Sequence, residues 1–152
     1  MSLGFLMCLA AWPAGAPLIP LSVCEVLRDL PAHEGKTVAV LGRYSFRETG
    51  RWISEQACDP PVQGPPELWL VEEKEAPKLP DDYALNGAAL NKKFADLRKT
   101  TSLGKFRFGT PDYDRWTVIY GRVEARKGED AKKAPANLVY RGNGTIVFLT
   151  PE

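Results

Sequence analysis

The sequence predicts a mainly β fold with one or two helices, and three observations lead to this prediction. The chain has 152 residues, of which 44% are hydrophobic and 26% charged, as in a single soluble globular domain. Its 13 glycines and 13 prolines favour a turn-rich β protein over a helical bundle. The predicted elements occur in the order helix, strand, strand, strand, helix, strand, strand. This order predicts a five-stranded OB-like Greek-key barrel, with a small β-sandwich as the competing architecture.

Each element follows from a local pattern in the chain. Residues 22–30 predict a short helix, because Ser22 and Glu25 have the spacing of a capping box and the apolar residues after them share one face. At residues 86–99 the spacing of the apolar residues changes to the helical period, which predicts the one substantial helix. The strand predictions, which rest on β-branched and aromatic content, cover residues 37–44, 51–57, 67–72 and 115–124.

The chain after the fourth strand is first charged and then rich in β-forming residues again. Residues 126–133 predict a solvated loop. Residues 137–140 and 145–149 predict strand, interrupted by a glycine-rich hairpin or bulge. An apolar-x-Gly-Arg-apolar pattern occurs at Gly42 and again at Gly121. Glycine inside a strand marks a bend or a close backbone approach, which a small closed barrel needs where one strand belongs to both of its halves.

The amino end predicts an export signal. An apolar run at residues 3–12 is too short to span a bilayer but has the length of a signal-peptide core. Ala-Gly-Ala at residues 14–16 matches a cleavage site, although no basic residue precedes the run. We expect residues 1–16 to be a signal peptide or an apolar segment packed on the domain. Residues 17–152 are then expected to form a single OB-like domain that is periplasmic or secreted, with no stable membrane span.

The cysteines are consistent with export. Removal of Cys8 with the leader leaves Cys24 and Cys58, which in an oxidising compartment are expected to form a disulfide. Two unrelated buried thiols are the alternative. Neither the cysteine spacing nor the single His33 fits the usual zinc patterns, and the sequence has none of the common catalytic motifs. The sequence therefore predicts a protein that is not an enzyme and has no cofactor and no metal.

Charge and aromatic residues indicate where a ligand could bind. The net charge is only +1, but residues 55–82 carry −6 and residues 86–107 carry +5. This segregation would suit self-association or a charged partner, and an exposed solvated helix would show it as well. Aromatic rings beside cations are typical of OB barrels that bind single strands. The candidate ligand-binding residues on such a face are Arg43, Lys105, Phe106, Arg107, Phe108 and Trp116.

A second aromatic group, with Tyr44, Phe46 and Trp52, interleaves with arginines in the first two strands. Because these strands also supply the barrel core, we expect most of the rings to be buried. The leading hypothesis is a binding or interaction module of unknown ligand, with a protein, peptide or saccharide partner. The alternative is that the aromatic and cationic face itself binds an oligosaccharide, a peptide or, less favoured, single-stranded nucleic acid.

Three motifs near the amino end resemble a known group of proteins. They are Val-Cys-Glu-Val-Leu at residues 23–27, Gly-Lys-x-Val-x-Val-x-Gly-Arg at residues 35–43, and Cys58, which closes the next hairpin. Together they resemble small exported OB-fold-like bacterial domains of unknown function, well over residues 20–60 and weakly over residues 115–140. The resemblance implies a barrel and brings no catalytic residues.

Overall fold

The computed structural model describes residues 18–81, 83–100, 115–142 and 146–148. The strands in chain order are β1 (Leu21–Ser22), β2 (Thr37–Arg47), β3 (Gly50–Ser54), β4 (Glu67–Glu72), β5 (Arg115–Ala125), β6 (Ala136–Tyr140) and β7 (Ile146–Phe148). The helices are α1 (Val23–Arg28), α2 (Leu30–His33), α3 (Gly87–Thr100) and α4 (Glu129–Lys133).

Five of the strands form a closed barrel. They pair in the order β2-β3-β4-β6-β5, and β5 pairs back with β2. The β4–β6 pairing is parallel and the other barrel pairings are antiparallel. Helix α3 lies between the third and fourth barrel strands, as the sequence order predicts. The OB-like barrel is therefore confirmed, and the closure of the sheet excludes the sandwich alternative. Strand β1 adds to β2, and β7 adds to β5.

The two repeated glycines lie where the long strands gain a second partner. Strand β2 pairs with β5 as far as Tyr44 and begins to pair with β3 just after Gly42, and β5 begins to pair with β6 just after Gly121. A Cβ on Gly42 would lie 2.7 Å from Ile53 Cγ1, and one on Gly121 would lie 2.5 Å from the Val139 carbonyl oxygen. Both positions thus have the close approach that the sequence pattern predicts, and at both a side chain would collide.

Helix α1 supplies part of the barrel core. Its capping box is complete: the Glu25 N–H donates to Ser22 Oγ, and the Ser22 N–H donates to Glu25 Oε2. The Glu55 carboxylate accepts from the Cys24 N–H at 2.9 Å, which satisfies another of the free amides at the helix start. The buried side chains of α1 and the strands form one cluster, which includes Val23, Val26, Leu27, Val40, Ile53, Leu68, Ile119, Leu138 and Tyr140.

Helix α3 packs on the outside of the barrel instead of entering it. Leu90 and Phe94 contact Leu41 and Val118, whose side chains point away from the barrel core. This second cluster covers the outer face of β2 and β5. The helix therefore leaves the outer face of β3 and β4 to other neighbours.

Several elements differ from the sequence prediction. Strand β2 continues to Arg47 instead of ending at residue 44, and the helix predicted at residues 22–30 ends at Arg28 and is followed by α2. Strand β3 ends at Ser54 instead of residue 57, because the chain turns there towards Cys58. The predicted solvated loop at residues 126–133 contains α4 and begins with an arginine that is half-buried. The predicted leader at residues 1–16 lies outside the described residues. Among the residues that are described, no helix combines the length and the hydropathy needed to cross a membrane.

The predicted disulfide is confirmed in the structure. Cys24 in α1 and Cys58 after β3 are bonded, with their Cα atoms 5.5 Å apart. The bond joins α1, whose apolar side chains pack in the barrel core, to the loop that follows the β2–β3 hairpin.

We expect Gly121→Ala to destabilise the fold by about 1–3 kcal/mol, because the new Cβ would collide with a backbone carbonyl that cannot rotate away. Gly87→Ala is the matched control, since nothing lies within 4 Å of a Cβ there. In urea denaturation, the control should be unchanged or more stable by up to about 1 kcal/mol. Equal stability of the two variants would contradict the role assigned to Gly121.

We expect the double variant Cys24→Ala, Cys58→Ala to lose about 3–4 kcal/mol of unfolding free energy, because the bond closes a loop with a sequence separation of 34. Proteolysis without reductant should yield one peptide pair that contains both cysteines. Recovery of both as free thiols from the native protein would show that the bond does not form.

Candidate functional site

The residues predicted to bind a ligand fall into two groups. Lys105, Phe106, Arg107 and Phe108 lie outside the described residues. Arg43 and Trp116 are brought together as register partners across the β2–β5 pairing. Both side chains are half-buried. The Trp116 ring meets Phe94 of α3 edge-on, with ring centroids 5.4 Å apart, so Trp116 helps to hold the helix on the barrel.

A pair of tryptophans forms the candidate site on the outer face of β3 and β4. Trp52 and Trp69 are register partners across these strands, and their ring centroids are 6.0 Å apart. Side chains alternate along a strand, and the neighbours Ile53 and Leu68 are buried in the core. The two indoles therefore point outwards, and both are half-buried. We call Trp52 and Trp69 the tryptophan pair.

The geometry of Trp69 depends on a glycine and an arginine. A Cβ on Gly50 would lie 2.5 Å from the Trp69 ring, so this glycine lets the indole lie across β3. The Arg126 guanidinium lies over the same ring, 5.0 Å from its centroid, and its side chain is only 13% exposed. The Arg126 N–H donates to the Pro135 carbonyl and its guanidinium lies 3.6 Å from the Asp130 carboxylate. Arg126 is thus held at the site through both backbone and side chain.

A cleft of about 310 Å³ adjoins the tryptophan pair. We call it the tryptophan cleft. Its residues are Trp69, Val71, Arg126, Lys127, Asp130 and Asn137. The Trp69 indole N–H is shielded from solvent and has no hydrogen-bond partner among the described residues. A buried donor without an acceptor costs free energy, and the packing of the Trp69 indole has to outweigh that cost.

Of the second predicted aromatic group, Trp52 belongs to the tryptophan pair, and Tyr44 and Phe46 lie towards the turn between β2 and β3. None of these three rings is fully buried, contrary to expectation. Phe46 is 47% exposed, with the Arg51 guanidinium 5.3 Å from its ring centroid. Arg51 also donates to the buried Tyr140 hydroxyl at 3.4 Å, and this hydrogen bond raises the pKa of Arg51. Burial raises the pKa of Tyr44, while the charge of Arg51 opposes that shift. Arg51 thus links Phe46 and Tyr140 at this end of the barrel.

The described residues include few groups suited to acid–base or metal chemistry. His33 lies half-buried at the end of α2. Within the described part of the chain, no three His, Cys, Asp or Glu side chains are grouped so that they could hold a metal ion. At the tryptophan pair, a ligand would therefore bind by contact with the indole faces. The side chains around the pair would add hydrogen bonds and charge interactions.

Trp69 and Arg126 were not among the predicted site residues. The signal for Trp69 is present in the sequence, since it stands between Leu68 and Leu70 and must face away from the core in a half-buried strand. No local pattern in the sequence indicates Arg126, because its position over Trp69 depends on the geometry of the connection between β5 and β6. Comparison with known proteins found no matching family model, no matching curated protein and no matching solved structure, so the resemblance to exported OB-like domains stays a prediction.

Proposed function

We propose that this protein is an exported, non-enzymatic binding module whose tryptophan pair contacts an extended peptide segment of a partner protein. The observation that carries the proposal is the group formed by Trp52, Trp69 and Arg126 on one outer barrel face. Tryptophan and arginine are the residue types that most often dominate the binding energy of protein interfaces. The outer face of the second and third barrel strands is also where OB-type barrels bind oligonucleotides and oligosaccharides, so this architecture can present a ligand there.

The surroundings of the pair favour a peptide over a nucleic acid. The tryptophan cleft has two cations, Arg126 and Lys127, and one carboxylate, Asp130. Arg126 is already engaged by this carboxylate and by the Trp69 ring. Nucleic-acid binding relies on several cations that neutralise phosphates, and this cleft offers few. The tryptophan pair instead offers two half-buried indole faces, against which the apolar side chains of a peptide can pack.

The disulfide supports the exported location. Cysteine pairs of this kind persist in oxidising compartments and are rare in the reducing cytosol. The Cys24–Cys58 bond also holds α1 in the barrel, so the binding face rests on a rigid support. Rigid support reduces the ordering cost of binding.

The test is a selection of displayed random dodecapeptides on the full chain, followed by fluorescence anisotropy with labelled copies of the enriched peptides. We expect Trp52→Ala and Trp69→Ala each to weaken binding by about 30-fold or more, the loss expected of an interface hot spot. Ile19→Ala is the control, because Ile19 is an exposed apolar residue that does not line the tryptophan cleft. Circular dichroism shows whether each variant keeps the fold.

Two results would overturn the proposal. One is that the wild-type chain enriches no peptide whose binding depends on the tryptophan pair. The other is that oligothymidine or a chito-oligosaccharide binds in place of peptide and is lost in the same two variants. A steep salt dependence would mark the nucleic acid, and a weak one the saccharide.

A further inference from the structure

A second and larger cleft lies at the α1 end of the barrel. Its volume is about 720 Å³, within the range of ligand sites in proteins. Leu27 and Leu30 form one wall, and the loop with Val62 forms the opposite wall. Four prolines also line it, and we call it the proline-lined cleft: Pro31, Pro60, Pro61 and Pro135.

The walls of the proline-lined cleft are fastened together. The Cys24–Cys58 disulfide joins α1 to the chain just before Pro60. The Arg28 side chain, on the α1 wall, donates to the Asp59 carbonyl at 3.2 Å. Proline residues have a fixed φ, so the loop has little freedom to collapse into the space. The cleft is therefore preformed, which lowers the ordering cost of binding a ligand.

The two clefts share a border. Arg126 lines both of them, and so does α4, which contributes Asp130 to the tryptophan cleft and Ala131 and Lys132 to the proline-lined cleft. A ligand that leaves the tryptophan pair along this border passes over Arg126 and enters the larger cleft. The two clefts thus form one binding path on the connection between β5 and β6.

The charge along this path is weakly positive, which suits the acidic side chains of a peptide but falls short of the several unpaired cations that a phosphate backbone requires. The basic side chains of the path are Arg28, Arg126, Lys127 and Lys132, and its acidic ones are Glu34 and Asp130, a net charge of +2. Lys132 also pairs with Glu129 outside the path, at 2.9 Å. Both partners are highly exposed, and such surface pairs hold little free energy, so Lys132 can exchange Glu129 for a carboxylate of a ligand.

The lining of the larger cleft also selects against one common class of peptide. Grooves that bind proline-rich peptides are lined by aromatic side chains. The described residues around the proline-lined cleft are aliphatic, proline, glycine or charged, apart from the neutral Gln63, and there is no aromatic ring among them. Aliphatic side chains of a ligand fit such a lining.

We infer that the partner segment is an acidic, aliphatic extended peptide that runs from the tryptophan pair across Arg126 into the proline-lined cleft. This inference rests on the proposed peptide-binding function and adds the composition of the peptide and the course of its chain. Acidic side chains of the peptide meet Lys132 and Arg28, and its aliphatic side chains enter the space between Leu30 and Val62.

The test uses the dodecapeptides enriched on the wild-type chain. We expect them to be rich in Asp, Glu and aliphatic residues relative to the starting library. Gln63→Trp places an indole at the cleft from an exposed position, and Ala131→Trp does so from α4. Each should weaken binding by about tenfold while the Trp52 contact is kept. Gln63 is exposed, so that variant retains the fold even if Ala131→Trp does not.

Reversing the charge of two neighbouring lysines, Lys132 and Lys133, gives a matched pair of variants. Lys132→Glu should weaken binding of an enriched peptide several-fold and reduce its salt dependence, whereas Lys133→Glu should not. Lys133 is exposed on the same helix but does not line the cleft. When the acidic residues of the peptide are replaced by their amides, the difference between the two variants should vanish.

The outcomes separate the two proposals. If no peptide depends on Trp52 and Trp69, the proposed function fails. If peptides depend on the tryptophan pair but are not acidic, or bind Gln63→Trp and Lys132→Glu as well as the wild type, the function stands and the inferred path is wrong.

Discussion

The pairing of β2 with β5 is the constraint on which the rest of the structure depends. It extends over eight residue pairs, from Thr37 with Arg122 to Tyr44 with Arg115, and turns an open sheet into a closed barrel. Closure requires each of these long strands to serve two sets of neighbours. Each strand begins to pair with its second neighbour beside a glycine, where any side chain would meet a neighbour at less than 3.0 Å. The barrel thus depends on two positions that carry no side chain.

Closure of the barrel also determines which helix contributes side chains to the core. A five-stranded barrel has a narrow interior that side chains must fill. Helix α1 contributes Val23, Val26 and Leu27 to that interior, and the disulfide and the Glu55 carboxylate hold its first turn in place. Helix α3 is then free to cover the outside of β2 and β5. The outer surface of the barrel is therefore divided into a face under α3 and a face that bears the tryptophan pair.

That division gives a physical basis for the candidate site. Aromatic rings on the covered face, such as Trp116, pack on α3 and stabilise the fold. Trp52 and Trp69 on β3 and β4 remain half-buried, and the Trp69 ring is met by Gly50 and Arg126 instead of a helix. The β5–β6 connection, with α4, lies between this face and the proline-lined cleft. The β5–β6 connection can thus contribute residues to both the tryptophan cleft and the proline-lined cleft.

By itself, the sequence determined the local features of this protein. The capping box of α1, the limits of β4 and the glycines at the bends follow from neighbouring residues, and the cysteine pair follows from a count. Only the tertiary structure decided which aromatic rings face solvent, because that depends on where α3 packs. It also decided that Arg126, predicted to lie in a solvated loop, covers Trp69. Residues far apart in the chain form that contact, so no local pattern encodes it.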